Sequence, residues 1–212
     1  MSGTSAGAAP RKPWVVGITG ASGAIYARRL LQTLLADSHD VDLIVSNSAR
    51  VVLRDEEKAD VDDMTWRSDL RRWLGVDDAL LERVVWWRSD DMAAGPSSGS
   101  YPTRGLLVVP CSMGTLAAVA GGGSSNLVQR AASVSLKEVR PTVLLFREAP
   151  LNRIHLTNLL AAHDAGCRIV PAAPGFYHQP TDLMQLVDFI VGRVLDAVGV
   201  HHDLYQRWRA QG

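Results

Sequence analysis

The run Val15-Val16-Gly17-Ile18-Thr19 passes without a break into Gly20-Ala21-Ser22-Gly23-Ala24. A β-branched apolar run that ends in a glycine turn reads as a buried strand. Ala24, Ala27, Leu30, Leu31, Leu34 and Leu35 then fall on one face of a helix over 23–36. A strand tied to a helix by a tight small-residue turn is the first half of a βαβ unit, and it commits the chain to a parallel sheet. The same turn leaves backbone N–H groups uncovered at a helix N-terminus, where a phosphate is stabilised. A plain βα connection looks the same, so the turn alone names no ligand.

The alternation continues along the chain. Apolar strands are expected over 14–19, 41–45, 84–87, 106–109, 142–146 and 168–170. Helices are expected over 66–82, 113–120, 127–138, 152–165 and 181–198, with a further one capped by Ser46-Asn47-Ser48. The acidic stretch 55–65 and the breaker-rich stretches 93–103 and 171–180 read as loops. The expected fold is a single Rossmann-like (flavodoxin-like) three-layer α/β domain with a mostly parallel central sheet, spanning 13–200. Residues 1–12 read as a disordered tail. Residues 201–212 read as a C-terminal tail contributing to the site or a subunit interface.

Composition removes several classes of function. The 22 basic and 22 acidic residues cancel, and no basic block stands out, so nucleic acid is not an expected partner. No apolar run is long enough for a membrane span, and residues 1–12 lack the apolar core of a signal peptide, which points to the cytoplasm. Cys111 and Cys167 stand too far apart in sequence for a metal motif and read as core thiols. No metal site is expected.

Ligands of doubly wound sheets bind beyond the carboxyl ends of the strands. Those ends carry Ser22, Ser46, Ser112, Arg147-Glu148 and the 171–180 loop. The first turn lacks the GxGxxG spacing of a dinucleotide site, and no GxxxxGK[ST] sequence is present. Ser46-Asn47-Ser48 stands where an NAD site places its ribose-binding acid. Hydroxyls and an amide there suit a phosphate or the polar edge of a flavin. Arg130 and Lys137, seven apart, share a helix face, which is either solvated or anion-binding. Arg147 and Glu148 form either a structural ion pair or part of the rim.

Taken together, GITGASGAIYA (17–27), PSSGS (96–100), PCSMGTLAAVA (110–120), the segment 126–160 and the segment 169–199 resemble the UbiX-type flavin prenyltransferases. These belong to the homo-oligomeric flavin-containing cysteine decarboxylase fold superfamily. The resemblance implies transfer of a dimethylallyl group from dimethylallyl monophosphate to N5 and C6 of reduced FMN, without a metal. The prenylated FMN would serve a UbiD-type decarboxylase, and the enzyme would assemble as a dodecamer. It also implies roles for single residues. Gly20, Ala21 and Ser22 would hold the FMN phosphate on the first helix, with Ser46 nearby. Ser112, Met113, Gly114, Thr115 and Arg147 would line the flavin. Ser98, Arg130, Lys137, Tyr177 and Arg193 would bind the prenyl phosphate. Glu148 would accept or relay a proton, and Glu56 matches a second acidic position. Tyr177 and Trp208 would wall the prenyl cavity, Trp208 having the alternative of packing at a subunit interface.

One position departs from the family pattern. Asp91 precedes Met92-Ala93 where an aromatic residue is usual, and Trp86 or Trp87 would have to supply that wall. Two competing readings of the fold are a cysteine decarboxylase and a flavin carrier. The first needs a histidine after the second strand, where Ser46-Asn47-Ser48-Ala49 stands. The second has no use for Arg130, Lys137, Tyr177 and Arg193.

Overall fold

The structure, a computed structural model, describes residues 11–208. The expected tail over 1–12 therefore lies outside the described residues, apart from Arg11 and Lys12. Arg11 is tied down: it pairs with the buried Asp42 at 2.5 Å and donates to the carbonyls of Val41 and Arg83.

Six strands form one parallel sheet in the order β3-β2-β1-β4-β5-β6. They are β1 (Trp14–Ile18), β2 (Val41–Val45), β3 (Val84–Arg88), β4 (Gly105–Cys111), β5 (Thr142–Phe146) and β6 (Arg168–Pro171). The helices are α1 (Ala24–Ala36), α2 (Asn47–Glu57), α3 (Trp66–Leu74), α4 (Asp78–Leu81), α5 (Met113–Ala120), α6 (Leu127–Lys137), α7 (Arg153–Asp164) and α8 (Leu183–Ala197). The three-layer, Rossmann-like architecture is the expected one. Successive strand residues point to opposite faces, and both faces are apolar. Val16, Ile18, Leu107, Val109, Val143 and Leu145 enter the core under α1, α3 and α8. Val15, Leu106, Val108 and Leu144 enter the core under α5 and α6.

Three local expectations needed correction. The single helix over 66–82 is two, because Gly75 takes a left-handed φ of 64° and ends α3. The acidic stretch is not all loop, since α2 runs to Glu57. Its charges are paired: Glu57 with Arg28, Asp60 with Arg54, and Asp63 with Arg50. The fourth strand passes through Pro110 to Cys111, and its register with β5 shifts between Val108 and Cys111. Proline cannot donate to the ladder.

The strand order reverses direction at β1, which pairs with β2 on one side and β4 on the other. The chain crosses from β3 to β4 through 89–104, which carries a 3-10 turn at Gly95–Ser97. The crevice outside the β1 and β4 carboxyl ends is the switch point at which such sheets take ligands.

Candidate active site

Thr19 holds the two sides of the switch point together. Its buried hydroxyl donates to Pro110 O at 2.9 Å and accepts the backbone N–H of Ser112 at 2.8 Å. Ser46 and Ser112 cap α2 and α5, accepting from Ala49 N and Thr115 N. Ser112 also donates to Thr115 Oγ1 at 3.1 Å, and the hydroxyls of Ser46 and Ser48 lie 3.1 Å apart. The backbone at Gly20 passes so close to Ser48 that a Cβ there would stand 2.6 Å from Ser48 Cβ and Oγ. Only glycine permits that approach.

The N-terminus of α1 is not an open phosphate cradle. Glu56 reaches back from α2, and its Oε2 accepts the N–H groups of Gly23 and Ala24, each at 2.9 Å. Gly23 sits at a φ of 113°, which turns its N–H toward this carboxylate. Burial raises the Glu56 pKa, but hydrogen bonds from Ser22, Gly23 and Ala24 and the charge of Arg147 outweigh it, so the net shift is downward. Ser22, Glu56 and Arg147 thus form one cluster. Ala21 is buried beside it, with its N–H on Thr19 O. The N-terminus of α5 differs: Met113 and Gly114 open it, no acidic side chain stands in its first turn, and the space in front of Gly114 is clear.

These groups fit a flavin mononucleotide. Arg147 Nε is buried with no protein hydrogen-bond partner among the described residues, which leaves its N–H able to donate to a ligand in the crevice. The Ser46 and Ser48 hydroxyls and the open turn of α5 supply donors around the same crevice. Glu148 follows Arg147 at the end of β5, half-buried, and accepts its neighbour's N–H at Ala149.

The residues expected to bind a second phosphate fall into separate groups. Arg130 and Lys137 of α6 lie along the loop after the 3-10 turn, which carries Ser98. Arg130 Nε donates to Ser97 O at 3.0 Å, and Gly99 packs against Lys137 and Glu138, which are themselves ion-paired. Arg140, which the sequence did not single out, clamps this loop through Gly99 O and Tyr101 O. Tyr177 and Trp208 pack edge to face at 5.2 Å and line a cavity of about 190 Å³ with His178, Gln206 and Arg207. Arg193 lines a different concavity, a mostly apolar groove of about 610 Å³ between α7, β6 and α8.

Of the two tryptophans that could replace the missing aromatic wall, Trp86 is engaged elsewhere. It stacks on Trp66 and donates to Asp63 at 2.9 Å, on the α1 side of the sheet. Trp87 lies on the α6 side, edge-on to Tyr101 and packed in the same core as Ala94. Asp91 closes a local turn through Ala93 N. Cys111 and Cys167 are buried free thiols; burial pushes Cys111 strongly upward and Cys167 to about 11, so both are inert thiols in the core.

A doubly wound sheet with a buried arginine N–H left unpaired and hydroxyl-capped helix starts at its switch point is a Rossmann-like domain of the kind that takes phosphate-bearing ligands. A family model described as Flavoprotein matches residues 2–195. The flavin prenyltransferase UbiX of Streptomyces coelicolor is 51% identical over 205 residues, covering 93% of this chain and 95% of its own. The crystal structure of AnUbiX (PadA1), in complex with FMN and dimethylallyl pyrophosphate, superposes with a TM-score of 0.82 at 37% identity, covering 96% of this chain and 100% of that one. A dodecameric FMN-dependent UbiX-like decarboxylase from Escherichia coli O157:H7 gives 0.82 at 38%, covering 94% and 100%. The chain belongs to the UbiX flavin prenyltransferases of the Flavoprotein family.

Proposed function

We propose that the enzyme joins the dimethylallyl group of dimethylallyl monophosphate to N5 and C6 of reduced FMN and passes prenylated FMN to a UbiD-type decarboxylase. As the allylic carbon bonds to N5, its carbon–oxygen bond to the phosphate breaks, phosphate leaves with the bonding pair, and the N5 proton passes through Glu148 to the phosphate. The C6–H bond adds across the remaining double bond and closes a fourth ring.

Gly20, Ala21, Ser22, Ser46, Ser112, Met113, Gly114, Thr115 and Arg147 would hold the flavin at the switch point, with Ser48 added by its place beside Gly20. Because Glu56 already caps α1, the FMN phosphate falls to the serine hydroxyls and the loop amides, not to that helix end. Glu56 orients Ser22, and Glu148 takes or relays the displaced proton. Ser98, Arg130, Lys137, Tyr177 and Arg193 receive the prenyl phosphate. Three cations and two hydroxyls meet the charge that develops on the leaving group, so no resident metal is required.

The separate groups support a site shared between subunits. Helix α7 leaves Ile154, Leu156 and Leu160 exposed and fully buries only Ala162, which suits a helix covered by another copy. We propose a homo-oligomer, a dodecamer as in the Escherichia coli relative. No helix among the described residues is long and apolar enough to cross a membrane. With two free buried thiols, a cytoplasmic location fits.

The observation that carries this reading is the placement of Arg130 and Lys137 of α6 against Ser97 O and Gly99, which sets two cations along the loop that carries Ser98, a set that a flavin carrier would not need. The test is an anaerobic incubation with reduced FMN and dimethylallyl monophosphate, with the diphosphate in parallel. A flavin heavier by one C5 unit, formed from the monophosphate, is the expected product. Unchanged flavin mass with both donors overturns the reading.

A further inference from the structure

The segment after α8 turns back onto that helix, and four side chains converge there on one carboxylate. Asp196 Oδ2 accepts the Tyr205 hydroxyl at 2.5 Å and the Arg193 guanidinium at 3.1 Å. Its Oδ1 accepts Arg207 at 2.8 Å and lies 3.2 Å from His202 Nε2. Leu204 N–H donates to His202 Nδ1, so the imidazole proton sits on Nε2 and points at Asp196. The backbone shape agrees with this convergence: a Cβ on Gly192 would collide with the rings of Tyr205 and His202.

From this anchor a chain of rings runs to the cavity wall. Tyr205 packs on Phe189 at 5.1 Å, Phe189 on Tyr177 at 5.7 Å, and Tyr177 on Trp208 at 5.2 Å. Arg207, one of the two guanidiniums on Asp196, lines the same cavity as Tyr177 and Trp208. The other, Arg193, is held by the carboxylate at the adjoining groove. Two cations share one anion, which leaves an excess of positive charge beside the two concavities.

We propose that Asp196 is a positioning residue that latches the segment 201–208 onto α8, and thereby sets Trp208 against Tyr177 and orients Arg193 and Arg207 for the phosphate of the prenyl donor. This rests on the reading that Tyr177, Arg193 and Trp208 receive that donor. Asp196 touches neither flavin nor donor; it acts through the groups it holds. Burial raises its pKa, but the hydrogen bonds from Tyr205 and Arg207 and the charge of Arg207 outweigh burial and hold it at about 2. The groups facing it are Arg193 from α8 and His202, Tyr205 and Arg207 from the returning segment, and none of them is an acid. The latch is therefore charged throughout the neutral range.

Asp196→Asn and Gly192→Ala undo the latch in different ways, one by removing the charge and one by crowding the seat. Full-length wild type and both variants would be compared by hydrogen–deuterium exchange, by flavin titration and by steady-state kinetics with dimethylallyl monophosphate. The expected result is exchange in 201–208 faster by about tenfold in both variants. The KM for the donor should rise by about tenfold, with flavin affinity within about twofold of wild type and kcat changed less than KM. Asp196→Glu should recover part of the loss. Unchanged exchange over 201–208 in both variants overturns the latch, and a released segment with an unchanged KM overturns its role toward the donor. If wild type transfers no C5 unit, the functional reading and the role toward the donor both fail, and the latch is still decided by the exchange rates alone.

Discussion

Glu56 Oε2 accepts the backbone N–H of Gly23 at 2.9 Å, so a carboxylate 33 residues along the chain caps the helix that the first glycine turn opens. A negative side chain at a helix N-terminus satisfies orphaned donors and meets the positive end of the helix dipole. Here it takes the N–H groups of both Gly23 and Ala24. Glu56→Ala is expected to cost about 1 kcal/mol of stability in urea unfolding at neutral pH. The folded pKa of Glu56 lies below its ordinary value, so its contribution is present above the unfolded pKa and is lost as pH falls through the folded one. The stability gap between wild type and Glu56→Gln should therefore close as pH drops below about 4.

Thr19 is the second anchor of the crevice. Its hydroxyl is both donor and acceptor between β1 and β4, and it is buried. Thr19→Val keeps the shape but leaves Ser112 N–H and Pro110 O with less to bond. The expected cost is about 1–3 kcal/mol, seen as a lower Tm. Flavin titration should show weaker binding, because the cap of α5 loses its fixed position.

Gly20→Ala tests the close approach of the first turn to Ser48. The new methyl would stand 2.6 Å from Ser48 Cβ, an atom that no rotamer change moves away. Flavin affinity should fall by about tenfold or more, the turn being forced away from the hydroxyls. Gly20→Ala combined with Ser48→Gly removes the obstacle and should restore much of the affinity, as isothermal titration would show.

Much of this site was legible because strand ends are local. Apolar runs mark each strand, and the cap at Ser46 follows directly from side-chain chemistry at a helix start. The tertiary reach of side chains was not legible. Glu56 lies at the far end of its helix from Ser46, and nothing in its neighbours signals that it bends back to Gly23. Asp196 reads as an exposed helix residue until the chain returns through Tyr205 and Arg207. Thr19 looks like the last residue of a strand. Glycine could have given one warning: Gly20 and Gly192 both mark places where another part of the chain arrives at close range.

Lys137 separates the two substrates. It sits on α6 with Arg130, beside the loop that carries Ser98 and apart from the groups around Arg147. Lys137→Ala removes one charge-assisted contact to a phosphate, worth about 1.5–3 kcal/mol. The KM for the prenyl donor should rise by about tenfold or more while flavin titration stays at the wild-type value. Equal loss of flavin binding would place Lys137 at the wrong phosphate.

The division of the donor site gives the sharpest test of its assembly. Among the described residues, no hydrogen bond, ion pair or ring contact joins Ser98, Arg130 or Lys137 to Tyr177 or Arg193. If the two groups meet across a subunit interface, Lys137→Ala and Arg193→Ala each poison a different half of every site. Co-expressed in equal amounts, the two variants would pair a sound half with a sound half at random in about a quarter of the sites. Assayed with donor well below KM, mixed oligomers purified with two affinity tags should then recover about a quarter of the wild-type activity, although each variant alone keeps about a tenth or less. Recovery would vanish if both halves came from one chain, because every site would then carry one lesion. Leu160→Glu on the exposed face of α7 supplies the companion measurement. It should lower the assembled mass in light scattering, and activity should fall with the mass because half a site binds no donor.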